Sequence, residues 1–140
     1  MNKTTKMETT LTRIDKPYVF EFENERGIKC LIDAAPNIGG KDRGFRPMEL
    51  LGGALASCVA IDVISILTKQ KTDPSLFKMS IKSTRVEGTP SSFESIILVI
   101  EVDKTIDKIK LSKNVKLVIE KYCSVSASLD KNIVINHEII

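Results

Sequence analysis

Three cysteines, Cys30, Cys58 and Cys123, are the residues through which this 140-residue chain could do chemistry. A thiol becomes a nucleophile only as its thiolate, so the surroundings of each decide its use. Cys58 falls in the middle of RPMELLGGALASCVAIDVISILTK, Arg46 to Lys69, a stretch that reads as one long helix. It lies about three turns in, whereas the helix dipole fades within the first turn. Asp62, four residues on, leans toward it and would raise its pKa unless a cation intervenes. Arg13, Arg26 and Arg46 are arginines that could serve, and spacing does not choose among them. Without such a partner a buried Cys58 is a packing residue. Cys123 is followed closely by Ser124, Ser126 and Ser128, which compete for backbone hydrogen bonds. The helix around it is therefore expected to break or restart there, placing Cys123 at a helix N-terminus, where a thiol pKa is lowered. Cys30 alternates with Lys29 and Leu31 in a short strand and reads as a small apolar residue pointing into the core.

The elements that must position these thiols begin with the long helix. Pro47 suits the first helical position, Glu49 lies in the first turn where the macrodipole favours a carboxylate, and Pro74 closes the segment after Thr68 to Lys71. Apolar residues occupy almost every face, the pattern of a buried helix. The run is long enough to span a bilayer, but Asp62 would sit mid-membrane at about 2.5–3.5 kcal/mol, so a membrane span is disfavoured. Gly52 and Gly53 each cost roughly 1 kcal/mol against Ala in a helix. They mark either a close backbone approach or mere tolerance.

Before this helix, Thr9 to Ile14, Tyr18 to Glu23 and Gly27 to Asp33 read as strands, and Pro36 to Phe45, PNIGGKDRGF, as a loop. The loop lacks a Gly-Lys-Ser/Thr sequence, so it is no P-loop, yet Lys41, Arg43 and Arg46 could attract an anion there. After it, Phe77 to Glu87 and Phe93 to Asp103 form a hairpin about Gly88 to Ser92, with the second strand central. Helical spacing returns from Ile106 to Leu129, with Val115, Val118, Ile119, Tyr122 and Leu129 inward. Lys131 to Glu138 is a last strand, with Ile133 and Ile135 inward.

Composition bounds the rest. With 42% hydrophobic and 28% charged residues the chain is an ordinary globular one, expected as a single domain over 1–140 with residues 1–7 flexible. Its size buries roughly two thirds of the unfolded surface. The net charge of +3 is spread over interleaved Lys and Glu or Asp, a solvated face and no nucleic-acid footprint. The N-terminal MNKTTKMETT has no apolar run of a signal peptide, so a cytoplasmic location is expected. Three cysteines there point to redox or catalytic use, not a structural disulfide framework. Absence of a CxxC pair, with His137 the sole histidine, leaves metal ligation weak.

RPMELLGGALASCVAIDVISIL together with EKYCSVSASL resembles the OsmC-like superfamily, which contains the organic hydroperoxide resistance and osmotically inducible proteins, and looks closest to its shorter YhfA-type branch. The likeness runs from about Gly27 to Ile135, with the two cysteine motifs 65 residues apart. It implies an α+β fold, antiparallel sheets packed around two long central helices, in an intertwined homodimer with active sites at the subunit interface. It also implies that Cys58 is the peroxide-reactive thiol and Cys123 the resolving one, reopened by a dithiol reductant, with no metal, haem or flavin cofactor. Met48 stands where organic hydroperoxide resistance proteins have a glutamate after the proline, and Glu49 comes one residue later, about 100° around the helix. Their activating arginine comes from an N-terminal segment, where Arg13 is the analogue by position.

Three readings follow. The first is a thiol-dependent peroxidase acting on organic hydroperoxides, or on hydrogen peroxide, through Cys58 and Cys123, with Glu49, Arg13 and Arg46 as candidate activating or orienting residues. The second is a non-catalytic binding protein of the same fold, holding a small anionic or apolar ligand near GGKDRGFR. The third is a thiol sensor or disulfide exchanger. No nucleic-acid or membrane partner is expected.

Overall fold

A computed structural model describes residues 4–140. The expectation of a flexible start falls partly on residues 1–3, outside the described residues; the first strand begins at Thr9. Contacts gather the chain into two compact units, one ending at Leu51 and the other running from Gly52 to Ile140.

The first unit is an antiparallel meander of β1 (Thr9–Asp15), β2 (Val19–Asn24) and β3 (Lys29–Ile32). The three expected strands are present, each within two residues at its ends. The turn before β3 is fixed by Asn24, whose side chain accepts from the Arg26 and Ile28 N–H groups at 3.0 Å each. Cys30 lies opposite Phe22 and is half-buried, so it reaches the core only in part. This unit buries little by itself: Val19 and Asp33 are its buried residues, while Leu11, Ile14, Phe22 and Phe45 stay exposed.

Asp33 organises the loop that follows. Its carboxylate accepts from the backbone N–H groups of Ala34 (2.7 Å), Lys41 (3.1 Å) and Arg43 (3.2 Å), so the loop wraps around one buried charge. The wrapping brings backbones together: a Cβ at Gly40 would collide with the Ala34 carbonyl, and one at Gly44 with that of Leu31. After a single 3₁₀ turn at Pro36–Ile38, Phe45 pairs beside Ile32.

Helix α1 (Pro47–Lys69) starts at the proline, as its sequence predicts. Glu49 accepts from the Arg46 N–H at 2.8 Å, satisfying a backbone donor at the helix start. Its buried residues Gly52, Leu55, Ala56, Val59, Val63 and Leu67 recur at three- and four-residue steps. The opposite face is not buried in one chain, contrary to the reading of a helix covered all round. Ile61 is 68% exposed there, with Ala54, Ser57 and Ser65 on the same side. Gly52 approaches the Ile81 side chain, which a Cβ would meet at 3.4 Å, whereas Gly53 has no such neighbour within 4 Å.

In the second unit, β4 (Phe77–Arg85) and β5 (Phe93–Val102) form the expected hairpin, with β5 central. Ile96, Leu98, Ile100 and Val102 share its buried face. The third strand, β6 (Val134–Ile139), runs parallel to β5, one departure from purely antiparallel pairing. It can do so because the helical segment after β5 supplies the crossover that a parallel pair requires. That segment begins at α2 (Lys108–Leu117), where the Asp107 carboxylate caps the Ile109 and Lys110 N–H groups. Ile106 and Leu111, both buried, stand at the positions of a hydrophobic staple.

Candidate active site

The crossover does not continue as one helix to Leu129. At Val118–Tyr122 it widens into a π turn, closed by the Cys123 N–H donating to the Val118 carbonyl at 2.8 Å. An i→i+5 bond holds an extra residue per turn and rotates whatever follows. Tyr122, expected inward at regular helical spacing, is therefore turned out and 60% exposed. Cys123 takes the inward position instead and is only 3% exposed. Leu111 and Asn114, which regular spacing from Val115 did not single out, are buried as well.

Cys123 is the N-cap of the short helix α3 (Ser124–Ser128), and its sulfur accepts from the Ser126 N–H at 3.3 Å. The break at the serines thus occurs where expected. Its electrostatic consequence is reversed, because burial pushes the Cys123 thiol above its ordinary pKa and the adjoining Cys58 thiol pushes it further. Those two effects outweigh the N–H groups of Ser126 and Val125, which act to lower it. A one-turn helix supplies little dipole to set against desolvation.

Cys58 lies beside Cys123, close enough for its thiol to act on the Cys123 pKa. The long helix delivers Cys58, half-buried, on the flank of its buried stripe. The π turn delivers Cys123. Cys30 belongs to the other unit, and all three cysteines are free.

The remaining candidates have local partners of their own. Glu49 serves the start of α1, as described. The Arg46 guanidinium reaches Asp42 at 3.4 Å, and that of Arg13 donates only to the Pro17 carbonyl, at 3.5 Å. Lys41 and Arg43 both bind Asp15, at 3.0 and 2.8 Å, and hold its carboxyl below the ordinary range through the Lys41 hydrogen bond first. The cations of the GGKDRGFR loop are therefore matched to carboxylates of the same unit, which weakens the anion-binding reading of that loop. Asp62 lines a depression of about 510 Å³ together with Ser65, Ile66, Lys69, Asn114 and Tyr122. Asn114 there donates to Gln70 at 3.3 Å. Among the described residues no group of three or more His, Cys, Asp or Glu side chains could hold a metal ion.

Helix α1 has the length and hydropathy of a membrane span. Its buried stripe of Leu55, Val59, Val63 and Leu67 is that of a core helix.

Comparison with known proteins gives this arrangement its context. Protein YhfA of Escherichia coli strain K12 is 35% identical over 119 residues, which cover 84% of this chain and 86% of YhfA. The crystal structure of a hypothetical protein from Aquifex aeolicus VF5 superposes with a TM-score of 0.80 at 28% identity, over 98% of each chain. That of an organic hydroperoxide resistance protein OsmC from Legionella pneumophila superposes with a TM-score of 0.74 at 14% identity, over 99% of this chain and 98% of its own, a likeness of fold. The sequence model of the OsmC-like protein family matches residues 39–138, the span that holds α1, the sheet of β4 to β6 and both neighbouring thiols, and the chain belongs to that family.

Proposed function

We propose that the protein is a cytoplasmic, thiol-dependent peroxidase that reduces organic hydroperoxides through Cys58 and Cys123. The observation that supports this reading is the proximity of the two thiols, brought side by side from 65 positions apart. Cys58 is the attacking thiol: it is half-buried, whereas Cys123 is buried with its pKa raised. The Cys58 thiolate attacks the O–O bond, taking one oxygen as a sulfenic acid while the other leaves, protonated, as the alcohol. The Cys123 thiol then condenses with the sulfenic acid, forming the disulfide and releasing water. A dithiol reductant reopens it by exchange, ending as its own disulfide.

A cation that supports the Cys58 thiolate completes the site. Arg13 is the candidate we favour, as the analogue by position of the family's N-terminal arginine, while the guanidinium of Arg46 binds Asp42. The working protein is a homodimer, a state that would cover the exposed face of α1 and the apolar side chains of the first unit.

Counting free thiols after adding one equivalent of cumene hydroperoxide to reduced protein tests the reading. Two thiols are expected to vanish in the wild type, none in Cys58→Ser and one in Cys123→Ser. Arg13→Ala is expected to slow the loss. Retention of all three thiols in the wild type overturns peroxidase function. Loss with disulfide reagents but not with peroxide would make the pair a thiol sensor or exchanger instead.

A further inference from the structure

The cations of α2 have no such carboxylate partners. Lys108, Lys110, Lys113 and Lys116 form none of the ion pairs found among the described residues, and the nearby Asp107 carboxylate is occupied in capping. Lys108 and Lys113 line an open cavity, a broad depression of the surface between α2 and β6, together with Ile109, Ser112, His137 and Ile139. Periodicity explains the gathering: Lys108 with Ser112, and Ile109 with Lys113, are four-residue pairs on one helix face, and His137 and Ile139 share one face of the strand. At the centre, Ser112 Oγ and His137 Nε2 are hydrogen-bonded at 2.7 Å.

We propose that this cavity is a binding site for a phosphate monoester. Two unpaired ammonium groups match a dianionic phosphate, for which lysine is an effective point-charge partner. With the imidazole proton on Nε2, His137 donates to Ser112 Oγ and turns the serine hydroxyl proton toward a bound oxyanion. Ile109 and Ile139 supply an apolar wall for the organic part. This site is separate from the two cysteines and does not rest on the peroxidase reading.

His137 is the only histidine of the chain, so its C2–H proton resonance reports on the cavity directly. Full-length protein is titrated at constant pH with phenyl phosphate and with inorganic phosphate, against sodium chloride at matched ionic strength. A saturable shift with both phosphates and none with chloride is expected, with phenyl phosphate binding the more tightly. Lys108→Gln and Lys113→Gln should each weaken binding about tenfold, the loss for one charge-assisted contact. A shift that does not saturate, that chloride reproduces, or that is unchanged in the Lys108→Gln/Lys113→Gln double variant overturns the site. Phenyl phosphate binding no tighter than phosphate overturns its assignment to a monoester.

Discussion

Cys58, in the middle of a 23-residue helix, lies beside Cys123, the cap of a five-residue one, so that the Cys58 thiol is part of the environment of Cys123. Burial raises the Cys123 pKa first, and the neighbouring thiol adds to it. The midpoint for alkylation of Cys123 by iodoacetamide, followed by mass spectrometry across pH, should therefore lie above the roughly 8.5 of a free cysteine. In Cys58→Ala it should move down, because the neighbouring thiol's contribution is lost. A wild-type midpoint at or below 8.5 would show that the helix cap dominates instead.

Glu49 holds the first turn of α1 through the Arg46 N–H. Glu49→Ala should cost about 0.5–1 kcal/mol, the usual worth of a carboxylate at a helix start, while Glu49→Gln retains the acceptor and loses less. Urea unfolding of both variants measures this. The rate of peroxide-dependent thiol loss, measured beside it, separates structure from chemistry. If Glu49→Ala slows that loss many-fold at unchanged stability, the residue orients the reaction and is more than a cap.

Much of this arrangement was legible in the sequence because it is governed by local rules. Pro47 and Glu49 mark a helix start, alternation marks β5 as central, and three serines mark the break after Cys123. What escaped local reasoning depends on the whole fold. A π turn at Val118 carries no composition signal, yet it decides that Cys123 faces inward and Tyr122 outward. The rise in the Cys123 pKa follows from that burial, and spacing alone points the other way. Asp33 read as an ordinary strand end; its three backbone donors come from a loop whose path only the close approaches at Gly40 and Gly44 reveal. The Ser112–His137 pair joins residues 25 positions apart, beyond any periodicity.

Asp33 should make the protein sensitive to acid. Burial acts to raise its carboxyl pKa, but the N–H groups of Arg43, Ala34 and Lys41 together outweigh it and hold the group below the ordinary 3.8. A depressed folded pKa contributes stability that is present above the unfolded value and lost as pH falls from about 3.8 through the folded one. Asp33→Asn should accordingly lower the urea midpoint at pH 7, with the gap to wild type narrowing below about pH 4. A gap independent of pH would mean that shape, and not charge, is what the loop requires.

The outer face of α1 gives the sharpest test of assembly. Ile61 is 68% exposed on a strongly apolar helix. Two hydroxyls along this face are turned inward on their own helix: that of Ser57 donates to the Ala54 carbonyl at 3.1 Å, and that of Thr68 to the Ile64 carbonyl at 2.9 Å. The face therefore presents small residues around one large apolar side chain, suited to close packing against a second copy. Covering Ile61 would contribute about 1–2 kcal/mol per protomer, and a two-fold axis counts it twice. Ile61→Glu places a charge in that contact and should convert the proposed dimer to monomer in sedimentation equilibrium, with its far-UV circular dichroism retained. Ile61→Val, which keeps an apolar side chain, should leave the dimer intact. Should Ile61→Glu remain dimeric at micromolar concentration, this face is not the interface, and the protomers meet elsewhere.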